Sequence, residues 1–107
     1  MDVYKYVFEK CKLHKLALSD NVTVIIGNLT MLGSSKGHDA LVLLTDIMRE
    51  KRQTVVNFKL DSDGNTFRIE LSGSLHECFR IDVFHSSDGM ITHIEMQNIH
   101  SGYFGKK

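Results

Sequence analysis

The sequence predicts an α+β layer fold: helices packed on one sheet, in the order α-β-α-β-β-β-β. Three observations carry this. Apolar residues recur at helical spacing in two early segments. From residue 53 onward the apolar period changes to two. Gly-bearing turns separate the alternating runs, most clearly Ser86-Ser87-Asp88-Gly89 between the runs 79–85 and 90–96, which is a β-hairpin signature. A chain of 107 residues supplies one domain and one core, taken as 1–107.

Tyr4, Val7, Phe8 and Cys11 fall at i, i+3, i+4 and i+7, one face of a helix at about 2–12. Leu13, Leu16 and Leu18 restart the stripe in another phase, as a short helical turn ended by Ser19-Asp20-Asn21. Val22-Thr23-Val24-Ile25-Ile26 is rich in β-branched residues and predicts a strand. A loop with Gly27, Gly33 and Gly37 follows, with room for a short strand at about 29–32. The next helix spans about 38–50, its buried stripe being Ala40, Leu41, Leu44, Ile47 and Met48. Asp39 near its start and Arg49, Lys51 and Arg52 near its end suit the helix dipole. Then Val56, Phe58 and Leu60, Phe67, Ile69 and Leu71, Phe79, Ile81 and Val83, and Ile94 and Met96 alternate with polar residues, as antiparallel strands with one face on a core do. The tail beyond Ile99 has two glycines and two final lysines and is expected to fray.

Thirteen Lys and Arg balance thirteen Asp and Glu, which argues against nucleic acid or an anionic membrane as a partner and does not oppose self-association. Cys11 and Cys78 form no metal framework and are too few for a secreted disulfide scaffold. The first residues hold no long apolar run, so neither a signal peptide nor a membrane span is expected, and the default location is cytoplasmic. On that reading Asn21-Val22-Thr23 and Asn28-Leu29-Thr30 are chance matches to the glycosylation pattern.

Motifs for chemistry are sparse. Among His14, His38, His76, His85, His93 and His100 no pair has helical i, i+4 metal spacing, so no metal or other cofactor is expected. Asp61-Ser62-Asp63-Gly64-Asn65 fails the calcium-loop pattern, because its Gly comes two places early. Gly33-Ser34-Ser35-Lys36-Gly37 lacks Walker spacing and reads as a loop into a helix. No Gly-x-Ser-x-Gly elbow is present.

Three stretches resemble the nuclear transport factor 2-like superfamily, also called the SnoaL-like or ketosteroid-isomerase-like fold. Leu18-Ser19-Asp20-Asn21-Val22-Thr23-Val24 is similar to the family's acidic turn into its first strand. Gly33-Ser34-Ser35-Lys36-Gly37-His38-Asp39-Ala40-Leu41 is similar to the loop that opens the helix over the sheet. Residues 79–84 with Asp88-Gly89-Met90-Ile91-Thr92-His93-Ile94 resemble its last hairpin. The resemblance implies a curved mixed, mainly antiparallel sheet wrapped around N-terminal helices, a cystatin-like cone, and a habit of dimerising. It also puts Ile26 and Phe79 where the isomerases keep their two carboxyl groups, so ketosteroid-isomerase turnover is not expected.

Alternation divides the strands into two candidate surfaces. A pocket for an apolar small molecule would be lined by Phe58, Phe67, Ile69, Phe79, Ile81, Ile94, Met96 and Asn98, facing the helix at 38–50, with Asn57, His85 and Tyr6 near its rim. A homodimer interface would use the opposite face: Arg68, Glu70, Arg80, Asp82, His93 and Glu95, beside His76, Cys78 and Gln97. The competing functions are an isomerase, cyclase or dehydratase on the same fold, and a protein–protein interaction module.

Overall fold

The structure is a computed structural model, and it describes residues 3–10, 12–61, 64–73 and 78–99. His76, His100, the middle of the 61–65 turn and the tail lie outside these residues. The described elements are α1 (Val3–Glu9), a 3-10 turn (Leu13–Lys15), β1 (Leu18–Ile26), β2 (Leu29–Leu32), α2 (Ser34–Glu50), β3 (Thr54–Leu60), β4 (Thr66–Ser72), β5 (Cys78–His85) and β6 (Ile91–Ile99). Six strands form one curved sheet in the order β2-β1-β6-β5-β4-β3. Only β1 and β6 run parallel; the other neighbours are antiparallel. The mixed, mainly antiparallel α+β architecture follows the period-two pattern, with the optional strand at 29–32 present.

The inner face is apolar. Val22, Val24, Phe67, Ile69, Leu71, Ile81, Val83, Ile91 and Ile94 are fully buried there, against Phe8, Leu13, Leu41, Leu44 and Met48 from the helical segments. Each such side chain contributes roughly 1.5–3 kcal/mol by leaving water. The helices divide the work of covering this face. α2 packs on β1, β2 and the 3-10 turn, whereas α1 packs on β3. So the strand residues expected to face α2 do point inward, but the β3 side is roofed by α1.

Two elements start earlier than their patterns suggest. β1 begins at Leu18, because the chain runs on as strand through Ser19-Asp20-Asn21, with its pairing to β6 irregular between Leu18 and Thr23. α2 begins at Ser34, capped by Gly33 at φ 92°. Gly37 therefore sits inside the helix rather than in a loop. A Cβ there would stand 3.0 Å from Val22 Cγ1 and 3.1 Å from Leu18 Cδ1, so the missing side chain is what lets α2 lie on β1. Gly27, at φ 60°, is the first residue of the two-residue β1–β2 turn, the position a type II′ hairpin reserves for glycine.

β3 departs from simple alternation. Val55 pairs with Leu71 and Asn57 with Glu70, so Val56 is the extra residue of a β-bulge. The bulge turns Val55 inward on the same side as Phe58 and leaves Val56 at 56% exposure. Leu60, at the end of this edge strand, is likewise exposed, and neither residue joins the core as the pattern suggested.

Candidate functional site

The outer face of the sheet gathers the charged side chains. Cross-strand register arranges them in rows. One row runs Thr30, Ile25, Glu95, Asp82, Arg68 and Lys59 across β2, β1, β6, β5, β4 and β3. The next runs Gln97, Arg80, Glu70 and Asn57 from β6 to β3. A third runs Leu32, Thr23, His93, Phe84 and Thr66 from β2 to β4. All six residues expected at a dimer interface, Arg68, Glu70, Arg80, Asp82, His93 and Glu95, thus share one face.

Hydrogen bonds and ion pairs link most of them. Arg68 Nε donates to Asp82 Oδ1 at 2.7 Å, and this bond raises the Arg68 pKa, holding its charge at every accessible pH. The other Asp82 oxygen lies 3.9 Å from Arg80 Nε. Arg80 Nη2 donates to Gln97 Oε1 at 2.6 Å, and Gln97 Nε2 donates to Glu95 Oε2 at 3.2 Å. Glu95 Oε1 stands 3.4 Å from His93 Nε2, whose ring meets Phe84 edge-on, centroids 5.4 Å apart. Asn57 Nδ2 donates to Glu70 Oε1 at 2.9 Å. Asn57 therefore belongs to this face, not to the rim of the cone, as its alternation with the inward Phe58 requires. Cys78 has the parity of the outer face but is buried at the end of β5.

Arg80 holds the middle of this network. Its side chain is 20% exposed, and its buried Nε has no hydrogen-bond acceptor among the described residues. A buried guanidinium N–H without an acceptor is costly, and the Asp82 carboxylate 3.9 Å away offsets part of that cost by its charge.

The inner face offers no such chemistry. Among the described residues no carboxylate, lysine or histidine is buried, and Gln53 is the one buried polar side chain. Of the residues expected to line a pocket, Phe67, Ile69, Ile81 and Ile94 are fully buried, Phe79 and Met96 nearly so, and Phe58 partly. Asn98, paired with Phe79 at the end of the hairpin, is exposed. His85 lies beside Phe67, ring centroids 6.3 Å apart, and Tyr6 is exposed beneath the Lys12 ammonium. Ile26 and Phe79, where the resemblance places the isomerases' carboxyl groups, both lie in the core. Neither can exchange a proton.

Two residues of the outer face were missed in the pattern. Phe84 alternates with Val83 just as Asp82 does, so its outward position was readable from the pattern. Thr92 was hidden by the β-bulge opposite Phe84 and His85, which breaks the parity of β6.

Among the described residues no helix is long and apolar enough to cross a membrane. No protein-family model matches the sequence, and no curated protein matches it. Solved structures are similar in shape. A de novo designed protein of the nuclear transport factor 2 fold superposes with a TM-score of 0.57 at 26% identity, over 87% of this chain and 71% of the design. A candidate isomerase of the SnoaL-like family from Agrobacterium tumefaciens superposes with a TM-score of 0.64 at 14% identity, over 90% of this chain and 92% of its own. A candidate polyketide cyclase from Sinorhizobium meliloti gives 0.59 at 13% identity, over 88% and 89% of the two chains.

Proposed function

The chain has the nuclear transport factor 2-like fold, and from that premise we propose that it works by association, pairing with a second copy of itself through the outer face of its sheet. The observation that supports this reading is the division of chemistry between the two faces. The inner face is apolar packing, whereas the outer face carries Lys59, Arg68 and Arg80 against Glu70, Asp82 and Glu95 in adjoining rows. A two-fold axis oblique to the strands would set an arginine of one protomer against a carboxylate of the other. Catalysis of the cyclase or isomerase kind has less support, because it needs an acid or base inside the cone.

Sedimentation velocity at micromolar concentration tests the proposal. The expected result is a dimer that weakens as salt rises, since the interface rests on charge pairs. Arg80→Glu is expected to raise its dissociation constant tenfold or more, about 1.4 kcal/mol. A strict monomer at both low and high salt rules the proposal out.

The cone supports a second reading, an apolar small molecule held among its hydrocarbon and aromatic side chains. Its lining includes Met48 and Met96, which re-pack more readily than branched residues. Titration with an apolar fluorescent dye checks this: saturable one-to-one binding that raises the melting temperature is expected, and native protein that leaves the dye dark excludes it.

A further inference from the structure

The two edges of the sheet are finished differently. β3 carries the bulge at Val56 and a charge at Lys59, both devices that keep an edge strand from pairing with another chain. β2, at the other edge, has neither, and its pairing with β1 is regular. It lies within residues 21–35, the longest stretch of the chain without a charged side chain. Leu29 on its inner side is 52% exposed and Leu32 on its outer side 65%. The hydrogen-bond phase of the hairpin says which backbone groups face outward. Gly33 N donates to Val22 O at 2.8 Å, so in the β1–β2 register Val22 with Gly33, Val24 with Met31 and Ile26 with Leu29 are the pairs that exchange hydrogen bonds. Thr30 and Leu32 therefore turn their N–H and C=O groups to the open edge, where none of the four has a partner among the described residues.

Separately from the face pairing proposed above, we infer that β2 pairs edge to edge with β2 of a second copy, antiparallel, about a two-fold axis at Met31. The phase of the hairpin fixes this register. Thr30 exchanges both its bonds with the second copy's Leu32, and Leu32 exchanges both with the second copy's Thr30. Met31 then stands across from its own counterpart in a non-hydrogen-bonded pair. On the outer side each Leu32 lies against a threonine. On the inner side the two methionines meet, and methionine adapts readily to such a contact.

The absence of charge is what argues for a second copy as the occupant. A two-fold contact sets the strand against itself, so any net charge on it would be repeated across the contact and repel. A peptide of another protein is selected at a sheet edge by pockets or charges that read its side chains, and β2 brings no charge to do so. Four residues span about 14 Å. Such a contact buries well under the roughly 800 Å² per partner of a standard interface, so it is weak and reversed by dilution.

Thiol trapping reads so brief a contact. In a Cys11→Ser background, with Cys78 buried, Met31→Cys and Leu29→Cys are compared for the rate of disulfide-linked dimer under mild oxidation. Opposed Cα atoms of a non-hydrogen-bonded pair lie about 4.5 Å apart, within reach of a disulfide. The two Leu29 positions lie four residues out of register, about 13 Å apart and beyond that reach. Met31→Cys is expected to link at least tenfold faster than Leu29→Cys, although Leu29 is the more exposed of the two. Leu32→Pro removes an edge N–H without touching the bonds to β1, and is expected to slow Met31→Cys to the Leu29→Cys rate. Thr30→Lys does the same by adding a charge to the edge, with no change of backbone. Arg80→Glu, on the outer face, leaves the rate unchanged. Equal rates at 31 and 29 overturn edge pairing and leave the face pairing standing. A fast link that Arg80→Glu abolishes, or that Leu32→Pro and Thr30→Lys both leave intact, also overturns it.

Discussion

Arg52 adopts φ 52°, the left-handed region that a side chain with a Cβ enters at a cost of roughly 1–2 kcal/mol. It does so to finish α2. Gln53 N donates to Met48 O at 2.8 Å and Arg52 N donates to Arg49 O at 3.2 Å, the paired bonds of a Schellman motif. Glycine usually fills this position. Arg52→Gly is therefore expected to stabilise the chain by up to about 1 kcal/mol, less whatever flexibility glycine adds to the unfolded state. A higher urea midpoint at unchanged m-value is the readout. The helix end itself was legible from the basic run at 49–52, but nothing in the sequence marks an arginine as left-handed, since its usual signal is a glycine. Phe84 was legible by position: it alternates with the buried Val83 and stands outside the core.

Elements join where backbones come close. After α2 the chain passes Gly73 at the end of β4, where an added Cβ would stand 2.4 Å from both Lys51 O and Gln53 Nε2. No L-residue tolerates that approach to a carbonyl without a shift of the helix–strand junction. Gly73→Ala is expected to cost about 1–3 kcal/mol by overpacking, seen as a lower urea midpoint, opposite in sign to Arg52→Gly only one step away. A midpoint equal to that of the wild type would show that the junction yields freely. At this scale the strands β4 to β6 were plain in the sequence because period two is a strong signal over seven or more residues. The bulge in β3 was not, since an inserted residue such as Val56 looks like any other strand residue. The start of α2 was missed because Gly37 carries the same letter whether it breaks a helix or lets one approach a sheet.

For the whole molecule, hydropathy alternation separated an apolar inside from a charged outside, and that partition is the part of the candidate site the sequence made visible. Which outer residues bond to one another was not visible, because it depends on register across strands far apart in the chain. Asp82 meets Arg68 because β4 and β5 align Thr66 with Phe84, and that alignment is fixed by the core pairs Phe67 with Val83 and Ile69 with Ile81. A shift of one residue would bury the network and expose the core.

The pairing of β1 with β6 has a consequence for synthesis. Val24 lies beside Ile94 and Ile26 beside Met96, so β1, early in the chain, waits for β6, the last of the described strands. Until then a nascent chain emerging from the ribosome presents the inner edge of β1 with no neighbour to its hydrogen-bonding groups. Contacts this distant in the chain slow folding through the entropy of closing the loop between them. For that interval the naked edge can pair with the same strand of another nascent chain on a crowded polysome.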